Sequence, residues 1–401
     1  LVGIGTGLGA DPQVLAHAQS LGFESADGEL PSSYLTAIGL KVAFLHTVLG
    51  AMVPLLVATL MTRFFGENRS AKEGLAIWKF SLFAAFSMTI PYFLSAYFLG
   101  PEFPSLIGGL VGLAVVTIAA QNNFLMPKEN WDFPPNSQWE PDWMAPESKP
   151  LSTLAPISTN HRLTTFNAWL PYLLVAFFLV ITRVPQLGLQ ALFKSVAFEA
   201  SNLYQSGIDI KITPLYLPST LFILVSLITF IFHRVNPGHY FQAWKRSAFT
   251  TASASVALLY TVPMVQIFIH TNHGLAGYPQ MPIALADGAS QLAAGAWPLI
   301  SPIVGGLGAF VAGSNTVSNM MFSLFQFSTA QDLSINPDWV VALQAVGGAA
   351  GNTICVHNVV AASAVAGLYG KEGVIIRKTF IVFAYYAGGA GLIGLTIAML
   401  I

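Results

Sequence analysis

The feature that most constrains the fold is an apolar region, residues 305–366, which polar residues interrupt twice. The first interruption is Gly313-Ser314-Asn315-Thr316, and the second covers residues 347–352 and ends at Asn352. Lipid contains no water that could bind a freed backbone, so irregular chain inside a membrane persists only where protein or a wet cavity surrounds it. Two such breaks, each opening a new helix, predict a substrate site made of interrupted helices.

The composition requires a membrane environment. Hydrophobic residues make up 54% of the 401 residues and charged residues only 9%, whereas soluble domains carry about 25% charged residues. We therefore predict an all-α polytopic membrane protein in contact with the lipid bilayer. The net charge of -1 does not suggest a nucleic-acid partner, and the single cysteine excludes an internal disulfide. Because the chain begins at Leu1, we expect the numbering to start inside a longer protein.

Apolar segments long enough to cross a bilayer define the expected transmembrane parts. They are predicted within residues 35–124 and 166–271, with a last helix at residues 379–401. Residues 1–34 are expected to be an outer loop, residues 125–165 a cytoplasmic loop rich in Trp and Pro, and residues 184–214 an outer loop with a surface helix at about residues 189–204.

The distribution of Lys and Arg sets the expected orientation. Four of these residues fall on the side of the first loop: Lys41, Arg183, Lys194 and Lys211. Thirteen fall on the other side: Arg63, Arg69, Lys72, Lys79, Lys128, Lys149, Arg162, Arg234, Lys245, Arg246, Lys371, Arg377 and Lys378. Because cytoplasmic loops carry the excess of positive residues, the first loop is expected to lie outside.

Residues 283–368 are expected to form the re-entrant, substrate-binding part. Pro298 and Pro302 are predicted to break short apolar helices, which at about ten to fourteen residues cannot span the bilayer. Polar side chains then open the next helix: Ser314, Asn315, Thr316, Ser318 and Asn319. N-capping alone is the structural alternative, but a helix start needs one cap residue, not five. The amides and positive dipole end of this helix are expected to attract an anion.

The second break repeats this arrangement. Gln344 precedes it, the glycines are expected to form the turn, and Asn352, Thr353, His357 and Asn358 are expected to open the following helix. His357 is the one titratable side chain between Asp338 and Lys371 other than Cys355 and Tyr369, and ionisable groups at this depth are costly and usually functional. It is the candidate for proton coupling. A neutral histidine bonded to a backbone carbonyl is the alternative.

Other chemistry has little support in the sequence. His270 and His273, with Asp287 beyond them, make a poor zinc site because no supporting carboxylate lies nearby. We predict no metal and no cofactor. The membrane segments contain no Ser-His-Asp, paired-carboxylate or His-Glu-x-x-His arrangement, so an enzyme is not expected.

The residues at both breaks resemble those of a known family, the bacterial lactate permeases, a branch of the ion-transporter superfamily. The resemblance lies in GAFVAGSNTVSN, LQAVGGAAGN and VVAASAVAGLYGKEG and extends over nearly the whole chain. It implies an inverted-repeat transporter with re-entrant hairpins and broken helices, whose first repeat would precede Leu1. It also implies uptake of L-lactate, and of related 2-hydroxy acids such as D-lactate or glycolate, by proton symport.

One departure from the family affects the coupling. Many members carry Asp at the position of Asn315 and Lys at the position of Asn352, so an acid at position 315 cannot carry the proton here and His357 becomes the stronger candidate. Sodium coupling, a passive anion channel and a structural or receptor protein stay open as alternatives. A homodimer is compatible with the sequence, which does not fix the oligomeric state.

Overall fold

The structure, a computed structural model, describes residues 1–9, 11–24, 29–127, 131–144, 164–183, 187–200, 210–269, 271, 277–366, 368 and 370–400. The first half of the chain contains α1 (Val2–Leu8), α2 (Pro12–Ser20), α3 (Ser32–Gly50), α4 (Val53–Phe65), α5 (Ala71–Leu75), α6 (Trp78–Leu99), α7 (Pro104–Gln121) and α8 (Thr165–Arg183). Then follow α9 (Leu189–Lys194), strands β1 (Phe198–Ala200) and β2 (Ile210–Ile212), α10 (Pro218–Phe232) and α11 (Pro237–Ile269). The last part contains α12 (Met281–Ala293), α13 (Trp297–Ala312), α14 (Asn315–Asp332), α15 (Pro337–Gly351), α16 (Val356–Ala366) and α17 (Glu372–Leu400).

The membrane character of the chain is confirmed by its helices. Within the described residues, six helical stretches are long and apolar enough to span a membrane: Ser32–Gly50, Trp78–Leu99, Pro104–Gln121, Thr165–Arg183, Pro337–Ser363 and Glu372–Leu400. The protein is an all-α polytopic membrane protein apart from one short hairpin of two three-residue strands. In that hairpin β1 and β2 pair antiparallel, with Glu199 opposite Lys211.

The chain divides into two compact units. One contains residues 1–153 and 258–401, and the other contains residues 154–257. The second unit consists of α8, α9, the hairpin, α10 and the beginning of α11. The first unit holds both breaks and therefore the candidate site.

Helix α15 forms the centre of the first unit, since 13 of its 15 residues are buried. Its sequence is apolar on all sides, which is typical of a helix that other helices surround. One apolar cluster joins it to α1, α2, α3, α14 and α17 through buried residues such as Leu45, Phe327 and Leu343. Helices α13, α14 and α15 therefore form a fixed core for the polar residues at their ends.

Several predictions about local structure are wrong. Residues 1–34 contain helices α1 and α2 rather than only a loop; Asp11 caps α2 by accepting a hydrogen bond from the Gln13 amide at 2.9 Å, a signal the prediction overlooked. Pro302 lies inside α13 and does not end it. The first of the spans expected within residues 35–124 consists of two helices, α3 and α4, because the chain turns at Ala51 and Met52.

The outer loop and the second break also differ from expectation. The surface helix expected at about residues 189–204 ends at Lys194, and Phe198–Ala200 is a strand. Gly347, Gly348 and Gly351 are helical, so the break begins after them, at Asn352. These glycines serve close packing instead: a Cβ at Gly347 would collide with the backbone of Pro302, and one at Gly351 with that of Gly306.

Candidate substrate-binding site

The first break is a tight reversal between α13 and α14. Gly313 ends α13 in the left-handed region, with φ of 74°, which glycine adopts without steric cost. Ser314 then caps α14, because its side chain accepts a hydrogen bond from the Val317 amide at 3.4 Å. The reversal brings the first turn of α14 back beside the end of α13.

The second break is a short turn between α15 and α16. Residues 352–355 are not helical, and the amide of Asn352 still bonds to Ala349 at the end of α15. The side chain of Asn358 donates to the backbone oxygen of Asn352 at 3.2 Å and so closes the turn. Thr353 donates to the Ala350 carbonyl at 2.7 Å. Both side chains satisfy backbone groups that the break releases.

The two breaks lie together at one end of the three-helix core. Contacts pair Ser301 with Val340 and Gly306 with Gly351, so α13 and α15 run in the same direction. Across this end, Gly313 of the first break lies against the His357 ring of the second. Consequently the N-termini of α14 and α16 open at the same place, and each presents free amide groups there.

Three asparagines at this end have buried side-chain oxygens without a partner. They are Asn315, Asn319 and Asn352, whose Oδ1 atoms receive no hydrogen bond from any residue that the structure describes. An unpaired buried polar group costs about 1–3 kcal/mol. Since a carboxamide can present either its oxygen or its NH₂ group, these side chains are suited to a small ligand that both donates and accepts hydrogen bonds.

The remaining predicted residues divide into exposed and buried groups. Thr316, His357 and Asn358 are exposed at the meeting point of the breaks. Ser318 and Gln344 are fully buried and bind each other, with Gln344 Nε2 donating to Ser318 Oγ at 3.1 Å. Ser318 in turn donates to the Gly305 carbonyl at 2.8 Å. These two residues hold the helices that carry the site and do not face an open space.

A buried residue that the sequence analysis missed extends this network. Gln326 is fully buried, donates to Gln344 Oε1 at 3.0 Å and accepts from the Trp297 indole at 2.9 Å. Gln326 follows Ser318 by two helical turns, so both lie on the same face of α14. This spacing is the sequence signal that could have identified Gln326 as part of the network. Through these side chains the network joins α13, α14 and α15.

A buried carboxylate lies at the opposite end of α15. Asp338, 3% exposed, accepts hydrogen bonds from Tyr34 at 2.7 Å and from Lys41 at 3.2 Å, and His17 lies at 3.1 Å from it. Its three partners come from α2 and α3. About thirteen residues separate Asp338 from the break, or roughly 20 Å along the helix, so this cluster fixes the start of α15 and does not touch the candidate site.

Helix α1 contacts the candidate site, which the sequence analysis did not foresee. A Cβ at Gly3 would collide with the Thr316 carbonyl, and one at Gly7 with the Asn319 carbonyl. The first turns of α14 thus pack backbone to backbone against α1. This close approach accounts for Gly3 and Gly7 at the beginning of the chain.

The structure bears on the prediction of no metal site only through the residues that it describes. Among the described residues, no group of three His, Cys, Asp or Glu side chains could hold a metal ion. His270 and His273 lie outside the described residues. Cys355 is buried and unbonded to sulfur beside the second break.

Comparison with known proteins places these motifs in a family. The model of the family described as L-lactate permease matches residues 14–401. The chain is 27% identical to a putative L-lactate permease of Haemophilus influenzae over 89% of the chain and 65% of that relative. It is 24% identical to the L-lactate permease of Escherichia coli K12, over 75% of the chain and 55% of the relative.

A third relative bears a different substrate name. The glycolate permease GlcA of Escherichia coli K12 is 25% identical over 86% of the chain and 62% of its own length. The chain therefore spans between about half and two thirds of the length of these curated relatives. No solved structure matches it.

Proposed function

Because the chain belongs to the L-lactate permease family, we propose that the protein takes up L-lactate, and related small 2-hydroxy monocarboxylates such as D-lactate and glycolate, across the bacterial plasma membrane together with a proton. Relatives named as permeases for lactate and for glycolate support this substrate class. Lactate and glycolate are both 2-hydroxy acids and differ by one methyl group. The chemical feature that they share is a carboxylate next to a hydroxyl.

The observation that carries the proposal is the group of unpaired asparagine oxygens where the breaks meet. A 2-hydroxy acid offers a hydroxyl that donates to an amide oxygen and a carboxylate that accepts from amide NH₂ groups. Asn315, Asn319 and Asn352 supply both kinds of atom. The amide ends of α14 and α16 add positive potential for the carboxylate.

Charge balance supports the role of a proton. Neither break contains Lys or Arg, so no fixed cation neutralises a carboxylate there. Moving an uncompensated anion into low-dielectric surroundings costs several kcal/mol, and a proton carried with each lactate removes that cost. His357 is exposed at the meeting point of the breaks and is our candidate for a proton-binding group in contact with the substrate.

Sodium coupling is the second candidate, because the same unpaired amide oxygens are hard ligands of the kind that alkali and alkaline-earth cations prefer. The choice between the two ions can be tested directly. On the proton reading, proteoliposomes containing the full-length protein accumulate labelled L-lactate when the outside is acidic, and choline replaces sodium at fixed pH without effect. Loss of uptake in choline favours sodium, and equilibration without accumulation indicates a passive channel.

Substrate recognition is tested by competition in the same vesicles. Glycolate and D-lactate should compete with L-lactate, whereas propionate, which has the lactate skeleton without the hydroxyl, should compete poorly. A site built to bind a hydroxyl rejects the analogue that lacks it, because its own polar groups are then left unpaired. Equal competition by propionate would contradict the proposed contact between the asparagines and the 2-hydroxyl.

A further inference from the structure

A pair of titratable side chains joins two transmembrane helices away from the candidate site. His46 of α3 and Tyr386 of α17 lie with Nδ1 and the phenolic oxygen 2.7 Å apart. Both residues are partly buried. Tyr386 is the middle residue of the 29-residue α17, about 21 Å from either end at 1.5 Å per residue. The pair therefore lies deep in any bilayer that α17 crosses.

The surroundings of the pair connect it to the second break. Tyr386 packs against the apolar cluster that contains Ala350 and Ile354, the residues on either side of the turn at Asn352 and Thr353. It also packs against the cluster that contains Leu49 and Val346. Tyr386 thus packs against the same apolar clusters as α15 and the turn of the second break.

Among the described residues, no charged side chain is a close partner of His46. The nearest titratable ring after Tyr386 is Tyr92 of α6, with ring centroids 6.3 Å apart. The other titratable or charged residues on α3 and on the helices packed against it are Tyr34 and Lys41 of α3, Arg63 of α4, Lys79 and Tyr97 of α6, Asp338 of α15, and Glu372, Arg377, Lys378 and Tyr385 of α17. Asp338 and Lys41 neutralise each other, and Lys41 lies more than one helical turn before His46 on α3.

We propose that the transported proton binds to the His46–Tyr386 pair on its way through the protein, in addition to His357 at the substrate. This inference rests on the proposed function. An imidazole can take up a proton on a ring nitrogen and release it again. A tyrosine hydroxyl suits it as a partner because it donates to neutral Nδ1 and, with its own hydrogen turned away, accepts from a protonated Nδ1. The bond between α3 and α17 therefore persists in both states.

A purely structural hydrogen bond is the competing explanation, and substitution separates the two. In His46→Gln the amide can still bond to Tyr386 but cannot be protonated. Tyr386→Phe removes the bond and keeps the histidine. His239→Gln, at an exposed histidine in α11, is the matched control. Each variant is reconstituted as the full-length protein and assayed twice: for exchange of labelled against unlabelled L-lactate, and for accumulation driven by an acidic exterior.

The two assays differ in whether net proton movement is needed. One pH unit supports about a tenfold accumulation for each proton carried, since it corresponds to a factor of ten in proton concentration. We expect wild type and His239→Gln to reach such accumulation, and His46→Gln to exchange lactate at more than half the wild-type rate while accumulating less than twofold. Tyr386→Phe should accumulate, with its half-maximal pH displaced from that of wild type.

The other outcomes overturn the inference in distinguishable ways. Wild-type accumulation by His46→Gln shows that no transported proton binds there, although lactate–proton symport stands. Loss of both exchange and accumulation assigns His46 to the structure of the helix pair. If wild type itself fails to accumulate lactate under the gradient, the proposed function falls and the proton site falls with it.

Discussion

Gly348 of α15 lies directly against the carboxamide oxygen of Asn315 of α14, so close that a single Cβ at position 348 would collide with it. The oxygen is buried and has no hydrogen-bond partner among the described residues. The position of the Asn315 side chain is therefore set by the absence of a side chain on the neighbouring helix. Gly348, 35 positions after Gly313, thus helps to determine the geometry of the first break.

Gly348→Ala should displace the Asn315 carboxamide and weaken lactate binding. The collision partner is a short side chain that must turn away, which removes its oxygen from the place where the breaks meet. If that oxygen binds the substrate, loss of one hydrogen bond to it raises KM about tenfold, equivalent to about 1.4 kcal/mol. Initial uptake rates at a series of lactate concentrations measure this change.

The matched control is Gly109→Ala in α7, where a Cβ would meet nothing within 4 Å. Both changes put alanine into a helix and favour the helical conformation equally. Unchanged KM in both variants would show that Asn315 does not contact the substrate.

Substitution of the asparagines themselves should weaken binding while folding is retained. Asn315→Leu and Asn352→Leu remove buried side-chain oxygens that have no partner among the described residues, and Thr316→Val removes an exposed hydroxyl, so the melting temperature of the purified protein should not fall. Lactate binding should weaken at least tenfold in each asparagine variant. Ser314→Ala is the comparison, because Ser314 caps α14; it should lower stability by about 1 kcal/mol with a smaller effect on binding. Normal uptake by both Asn315→Leu and Thr316→Val would remove the first break from the site.

The network of Gln326 and Gln344 predicts a coupled loss of stability. Gln326→Leu leaves the Trp297 indole and the Gln344 oxygen unpaired, which should cost about 2–4 kcal/mol because each buried group loses about 1–3 kcal/mol. Gln344→Leu should cost a similar amount. The double variant should cost less than the sum, since neither amide then leaves the other unpaired. Thermal unfolding in detergent measures this, and strict additivity would show that the two side chains do not depend on each other.

Much of the fold followed from apolar length, but the packing did not. Helices α6 and α7 both lie in the predicted transmembrane range 35–124, because an uninterrupted apolar run has few alternatives in a membrane. Gly347, Gly348 and Gly351 were interpreted as a turn because glycine breaks isolated helices. Whether a glycine forms a turn or permits close helix packing depends on the neighbouring helix. A single sequence does not show where that helix lies.

The candidate site was located by its clustering of polar residues, but their roles could not be separated. Ser318 and Gln344 are uncharged polar residues near the breaks, as are Asn315 and Asn352. In the structure Ser318 and Gln344 form a hydrogen bond with each other, whereas Asn315 and Asn352 have unpaired side-chain oxygens. Burial and partner geometry decide this difference. His46 and Tyr386, 340 positions apart, offer no sequence signal that they meet.

The Asp338 cluster predicts that charge removal is tolerated only in pairs. Asp338→Asn leaves Lys41 without its carboxylate partner in partly buried surroundings and should destabilise the protein by about 3 kcal/mol, the lower end of the range for breaking a buried pair. Asp338→Asn together with Lys41→Met should recover part of the loss. Thermal unfolding of the two variants checks this, and equal stability of the single and double variants would show that the Lys41 contact contributes little.

His357→Gln should separate lactate binding from its dependence on pH. Wild-type uptake is expected to rise as the external pH falls, because the proposed transport carries a proton with each lactate. Glutamine can form hydrogen bonds but cannot take up a proton, so uptake by the variant should be nearly independent of pH while binding is partly retained. Gly313 lies against the His357 ring, and glutamine occupies no more space there, so the first break should keep its shape. Lactate uptake and lactate binding are measured at the same series of pH values. A variant whose uptake follows pH as wild type does would end the role of His357 as a proton carrier, and one that loses binding at every pH would assign it to substrate contact alone.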